Sequence, residues 1–272
     1  MNLKSKTALA ALALIASTAA LAQATAPVPD YTLSYNIGAV SDYRFRGITQ
    51  TNYGPAIQGG VDFAHKSGLY LGAWASNVNW VKQVNGASQG DIEVDLYGGY
   101  KGEIMPGLGF DVGLITYQYP GNNSGNKNGN VVAAGQYTKA DTTEFYGAVT
   151  YNVVTLKYNQ SMGDFLGNVN SNASRYWDLS ANFDLGHGLT LTPHIGRQTI
   201  ANQSAGTTVG NAADYTDYAL TLAKDFGNGF TGTVAYYATD ANQDFYVNQV
   251  SPVADGKLIG KSGAAVGVKY SF

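Results

Sequence analysis

Acidic side chains spaced two apart are the first feature with chemical potential. Asp91, Glu93 and Asp95 alternate with Ile92, Val94 and Leu96. In an extended chain, residues two apart share a face. Neighbouring carboxylates would then lie roughly 7 Å apart, from a rise of ~3.4 Å per residue. Such a stripe raises the local cation concentration, or serves simply as a screened polar wall. A calcium cage would need about six to eight converging oxygens, and no EF-hand loop is visible. Arg44 and Arg46 are also two apart, with Asp42 on their side and Tyr43 and Phe45 on the other. On a strand, both guanidinium groups would point into a lumen near its outer mouth. They would form a constriction or an anion-attracting spot, or a wall pair bonded to nearby carboxylates and loop carbonyls.

Catalytic patterns are missing. There is no Gly-x-Ser-x-Gly elbow, no His-Glu-x-x-His and no P-loop. His65, His187 and His194 are the histidines. The first two fall at or near short turns, and His194 is expected to face the lumen. A Ser–His hydrolase would need partners that meet only in space. Cysteine is absent, which excludes disulfides, thiolate metal sites and a cysteine nucleophile. No catalytic residue, metal or cofactor is assigned. The chain has a formal net charge of −3 and no basic stripe, which argues against nucleic acid as a partner.

Elements that could hold these charges follow from composition and period. Charged residues make up 13%, with 20 Tyr and 34 Gly; a soluble surface carries about twice that charge. Tyr, Thr and Val favour strands. Residues 1–22 read as a cleaved signal peptide: Lys4 and Lys6, an apolar stretch Ala8 to Leu21, then Ala20-Leu21-Ala22. Residues 23–30 would be a short periplasmic segment and 31–272 one barrel. No later stretch offers the ~20 consecutive apolar residues of a transmembrane helix.

From Tyr31 onward, alternating segments are separated by turn residues. The first is read from Tyr31 to about Arg46, with Tyr31, Leu33, Tyr35, Ile37, Tyr43 and Phe45 on one face. The third, about Leu69 to Trp80, is apolar on both faces. Pro193, in the middle of the ninth, cannot donate to a ladder, so a bulge or break is expected there. The last segment is the cleanest closing strand. Ala264, Val266, Val268, Tyr270 and Phe272 share one face, and Gly263, Ala265, Gly267, Lys269 and Ser271 the other. Short connections near Lys66, Pro106, Asn152, His187 and Asn228 alternate strictly with long ones.

The expected fold is therefore all-β: a transmembrane, antiparallel, up-and-down β-barrel of about 12 strands, with short periplasmic turns and long extracellular loops. Ile92, Val94, Leu96, Val266, Val268, Tyr270 and Phe272 would face lipid. The lumen side would carry the acids Asp42, Asp62, Asp91, Glu93, Asp95, Asp111, Glu144, Asp178 and Asp184, and the bases Arg44, Arg46, Lys101, Lys157 and Lys269. A barrel this wide cannot fill an apolar interior with side chains, which places the apolar face outward, in lipid.

The stretch Tyr43-Arg44-Phe45-Arg46-Gly47-Ile48-Thr49-Gln50-Thr51, then Gly59-Gly60-Val61-Asp62-Phe63, then Gly68 to Val78, resembles the TorF-type porins of proteobacteria. The resemblance runs over the mature chain and is strongest in its first third. It implies an outer-membrane channel and supplies no catalytic or ligand residues. The aromatic last residue resembles the C-terminal signal of outer-membrane proteins, which implies contact with the barrel-assembly machinery. The expected function is a porin-like channel for passive diffusion of small hydrophilic solutes, mildly cation-preferring, with outer-membrane lipid around it. A non-conducting, loop-plugged barrel and an outer-membrane hydrolase are the alternatives.

Overall fold

Alternation in the sequence becomes a wall with two chemically distinct faces. The structure, a computed structural model, describes residues 29–124, 137–247 and 255–272. The expected signal peptide lies outside the described residues. In chain order the elements are β1 (Tyr31–Val40), a small hairpin of β2 (Arg44–Phe45) and β3 (Ile48–Thr49), β4 (Ala56–His65), β5 (Leu69–Asn77), α1 (Trp80–Gln83), β6 (Ile92–Met105), β7 (Leu108–Gln118), β8 (Thr142–Tyr151), β9 (Val154–Ser161), β10 (Arg175–Ala181), β11 (Phe183–Gly186), β12 (Leu189–Thr199), β13 (Tyr215–Gly227), β14 (Phe230–Thr239), α2 (Gln243–Tyr246) and β15 (Gly263–Ser271).

Apart from the β2–β3 hairpin, the strands form one antiparallel sheet that closes on itself. At the seam Asn36 lies opposite Ser271 and Val40 opposite Gly267. Tyr35 and Phe272 exchange backbone hydrogen bonds of 2.9 and 3.0 Å. β10 and β11 are two pieces of one strand, so the wall is a twelve-stranded barrel. The expected irregularity at Pro193 is a break in this neighbour. Ser180 lies opposite His194 and Phe183 opposite Leu191, so register is kept across the gap. On the other side Pro193 stays in register with Leu220 of β13. At the gap, the Asn182 N–H donates to Val153 O at 2.9 Å, the next step of the ladder that pairs Ala181 with Val154 of β9. Proline's missing donor thus interrupts one ladder and leaves the other whole.

Five connections are short and lie at one end, with the C-terminus. Two of them, His187-Gly188 and Asn228-Gly229, have positive φ at both central residues (53° and 73°, 51° and 84°). That is the type I′ hairpin geometry, which matches strand twist and explains the Asn-Gly choice. Long connections gather at the opposite end.

The outer face is a continuous apolar belt. Ile92, Leu96, Val266, Val268 and Phe272 are all at least half exposed. Val94 and Tyr270 share that face. Tyr270 is tucked between Phe230 and Phe272, with ring centroids at 4.6 and 5.6 Å. In water so large an apolar surface would drive association; hydrocarbon accommodates it, and the closed ladder pairs the backbone around the wall, interrupted beside Pro193. Paired rings mark the short-turn end: Tyr31 is stacked on Phe63 and Tyr35 on Phe272, and Tyr100 is tilted against Phe110. Amphipathic rings suit a membrane interface. The third wall strand, ambiguous in sequence, turns Leu69 and Leu71 outward, 56% and 64% exposed.

One expectation fails here. The first strand does not continue to Arg46. It ends at Val40, and the chain turns into the bore. Tyr43 and Phe45 therefore face the interior with Arg44 and Arg46, not lipid. Likewise β5 stops at Asn77, and Trp80 is buried in α1 among the loops.

Candidate functional site in the lumen

Residues 41–55 form a beam across the outer half of the bore. The Asp42 carboxylate organises its root: Thr49 Oγ1 donates to Oδ1 and Arg44 Nε to Oδ2, each at 2.5 Å. Arg44 also donates from Nη1 to the carbonyls of Gly47 (2.9 Å) and Lys261 (3.0 Å). The β2–β3 hairpin turns at Arg46 and Gly47, both at positive φ (47° and 79°). Gly47 is needed for space as well. An added Cβ would sit 2.7 Å from Thr239 Cγ2 and 2.8 Å from Asp217 Cβ.

At the tip, Arg46 is pinned to the far wall. Nη2 donates to Glu144 Oε2 on β8 at 2.6 Å, and Nη1 to Gln198 Oε1 on β12 at 2.7 Å. Around the barrel, β8 and β12 both lie several strands away from β1 and β4, which anchor the beam. The guanidinium carbon is 4.3 Å from the Tyr176 ring centroid and 4.7 Å from that of Phe45. Arg46 and Glu144 side chains are 6% and 0% exposed. Tyr117 and Asn159 donate to the same Glu144 oxygen at 3.1 and 3.3 Å. Three donors thus converge on Oε2 of this buried charge, while Oε1 is buried without a hydrogen-bond partner among the described residues.

A second contact set fixes the beam near its root. Tyr43 Oη donates to Glu93 Oε1 at 2.7 Å, and Tyr119 Oη to Oε2 at 2.9 Å. Burial first, and then the Glu93 charge, push both phenols well above their ordinary range, so they remain donors. Trp80, Val81, Tyr117 and Tyr119 form an apolar cluster against which Tyr43 and Phe45 pack. Beside it a cavity of about 60 Å³ is lined by Phe45, Trp80, Phe165, Ile200, Tyr215 and Tyr246, among others. The outer half of the lumen is thus filled by a folded plug.

Nearer the short turns the wall is wetter, and tyrosines lie over glycines. Tyr97 Oη donates to Asp62 and Tyr70 Oη to Asp111, each at 2.5 Å. The Tyr70 hydroxyl also meets that of Tyr146. A Cβ on Gly72 would run into the Tyr97 ring, and one on Gly113 would be 2.5 Å from Tyr146 Oη. Glycine on one strand gives the ring on the next a place to lie. Lys101 lies 5.3 Å from the Tyr70 ring centroid and Lys157 4.1 Å from that of Tyr146. Lys101 and Lys269 are exposed on the inner face. Asp178 and Asp217 flank His194, the first 3.2 Å from Nδ1 and the second 2.8 Å from Nε2. Both ring nitrogens are engaged by carboxylates, which leaves neither to take a serine proton.

The expected acidic stripe is shorter than three. Asp91 precedes β6, is exposed at the rim and pairs with Lys82. Glu93 and Asp95 are buried inside, and Asp95 Oδ1 has no hydrogen-bond partner among the described residues. Asp184 is exposed near a short turn, where its Oδ1 accepts the Gly186 N–H at 2.8 Å. Sequence reasoning overlooked Gln198 and the inward tyrosines Tyr70, Tyr97, Tyr117, Tyr146 and Tyr176. Their signal was present, since Tyr97 sits on the polar parity of its strand. Its partner glycine becomes visible only once register is known.

Comparison with known proteins agrees with this architecture. A family model described as "Bacterial protein of unknown function (Gcw_chp)" matches residues 22–272. No curated protein matches the sequence. Among solved structures, the chain is similar to the KdgM porin, with a TM-score of 0.52 and 8% identity, covering 88% of this chain and 99% of that one. It is also similar to an outer-membrane channel from Pseudomonas putida F1, with a TM-score of 0.50 and 12% identity, covering 90% and 96%. At such identities the likeness is one of fold.

Proposed function

This chain belongs to the Gcw_chp family of bacterial proteins, and from that premise we propose that it is a porin-like outer-membrane channel for passive diffusion of small hydrophilic solutes. One observation carries the reading: a closed twelve-stranded wall with an apolar outside encloses a polar interior. Inward polar side chains nearer the short turns, such as Asp62, Asp111 and Lys101, are not used by the plug and suit a bore that holds water or solutes. The porin-like neighbours and the resemblance to TorF-type porins support it. Within this reading residues 1–22 are a cleaved export signal, residues 23–30 a short periplasmic segment, and β15 with the Phe272 that follows it the handle for the barrel-assembly machinery.

Inward carboxylates (Asp42, Asp62, Glu93, Asp95, Asp111, Glu144, Asp178, Asp217) outnumber inward Arg and Lys residues (Arg44, Arg46, Lys101, Lys157, Lys269). A conducting bore therefore favours cations mildly. The beam is the constriction. Liposome swelling with sugars of graded size tests conduction: swelling that falls with sugar size is expected, and no swelling with any of them rejects the channel. Reversal potentials under a salt gradient should show cation preference; anion preference rejects that part alone.

A second reading has its own observation. Glu93, Glu144, Gln198 and Asp217 are each at most 2% exposed, so the outer half of the bore is closed in this state. A permanently plugged barrel would serve as a structural or interaction protein, and it would give no swelling while remaining folded.

A further inference from the structure

Arg175 and Arg197 are set apart from the other arginines by the face they occupy. Arg44 and Arg46 are locked inside the bore. Arg175 and Arg197 point outward on the lipid side, in phase with Trp177, Leu179 and Ile195, which are 48%, 45% and 42% exposed. Arg175 begins β10 and Arg197 comes two residues before the end of β12, so both stand at the long-loop rim. Trp177 lies opposite Arg197 and Arg175 opposite Thr199. The two arginines are therefore diagonal neighbours, roughly 7–8 Å apart.

Their charges are poorly used within the protein. The Arg175 guanidinium makes no hydrogen bond or ion pair with any described residue. Arg197 donates from Nη1 to Thr216 Oγ1 at 3.2 Å, and its Nη2 reaches Asp214 only at 3.9 Å. The backbone beneath them is braced from inside: Gln198 Nε2 donates to the carbonyls of Arg175 (3.0 Å) and Thr199 (3.1 Å). Below the pair, the Trp177 and Tyr158 rings lie 4.6 Å apart, tilted by 50°, an interfacial aromatic patch. An unpaired guanidinium on a lipid-facing wall is tolerated at headgroup level and not in hydrocarbon.

We propose that Arg175 and Arg197 form a docking site for the phosphate of a phosphorylated glycolipid in the surface leaflet of the membrane. This rests on the outer-membrane reading above, which places the long loops at the cell surface. Two guanidinium forks at this spacing can share one phosphate. Charge complementarity, the unused donors of Arg175 and the depth set by Trp177 together favour a lipid anion over a soluble one. The site needs no open bore, so it is separable from conduction.

The test uses the purified full barrel in neutral detergent, titrated with lipid A carrying two phosphates and with its dephosphorylated form, and read by native mass spectrometry. The phosphorylated lipid should bind about tenfold or more tightly than the dephosphorylated one. The double variant Arg175→Gln/Arg197→Gln should lose about 30-fold, from about fivefold per basic residue. Arg175→Lys/Arg197→Lys should keep part of the affinity, as point charges without the fork. Should the double Gln variant not fold, Arg175→Gln alone, whose side chain touches no polar partner, should lose about fivefold. Equal binding of the two lipids, unchanged binding by the Gln variants, or displacement of the lipid by equimolar inorganic phosphate would each overturn the proposal. So would a change in oligomeric state with no change in lipid retention.

Discussion

Replacing Arg46 with alanine removes the pin that holds the beam to the far wall. The guanidinium donates to Glu144 at 2.6 Å and Gln198 at 2.7 Å, with both members of the ion pair almost fully buried. Breaking such a pair by deleting one partner costs about 3–5 kcal/mol. Glu144 keeps Tyr117 and Asn159 as donors, so the lower end, about 3 kcal/mol, is the appropriate magnitude. At 1.36 kcal/mol per tenfold, that shifts the balance between closed and open plug by about 150-fold. In planar-bilayer single-channel recording, Arg46→Ala should raise the open probability sharply. Glu144→Gln should raise it far less, because an amide oxygen can still accept from Arg46. Neither effect should vanish at high salt, since buried pairs are weakly screened. If Arg46→Ala migrates as a folded barrel yet matches the parent in open probability and conductance, the pin does not control the bore. The contacts at the root, Tyr43 on Glu93 and the apolar cluster around Trp80 and Tyr119, would then be holding the plug.

Two further outcomes follow from packing. Gly72→Ala forces a methyl into the Tyr97 ring and should lower stability by about 1–3 kcal/mol in urea unfolding. The control Gly147→Ala, whose Cβ meets only Val112 at 3.9 Å, should leave it unchanged. Phe272→Ala removes two ring stacks at the seam, on Tyr35 and Tyr270, worth about 0.5–1.5 kcal/mol each. The fraction of chains that migrate as heat-resistant barrels should fall, and an unchanged fraction would show that the seam is held by backbone bonds alone.

The wall was legible because its chemistry is periodic. Ile92, Val94 and Leu96 against Glu93 and Asp95 can be sorted without neighbours, since side chains alternate with a fixed period. The Asn-Gly turn at Asn228 and the strict alternation of short and long connections also announce themselves locally. Register is different. Tyr97 over Gly72, or His194 between Asp178 and Asp217, depends on which strands are adjacent and how they slide, which no single strand encodes.

The plug was misread for a more instructive reason. Tyr43 and Phe45 keep the same parity as Tyr35 and Ile37, so the apolar face seems to run on past Val40. A residue that packs inside a plug and one that meets lipid are drawn from the same apolar set, and a two-residue hairpin strand has the same period as a wall strand. The distinguishing mark is Ser41, a polar residue at what would be a lipid-facing position. Beyond Ser41 the chain carries Asp42, Arg44 and Arg46, three charges that the wall alone could not have paired. Asp42 takes Arg44 and Thr49; Arg46 takes Glu144 and Gln198 across the bore. Asp42 and Arg44 thus satisfy each other inside the segment, and Arg46 is the charge whose partners lie across the bore, which holds the segment away from the wall.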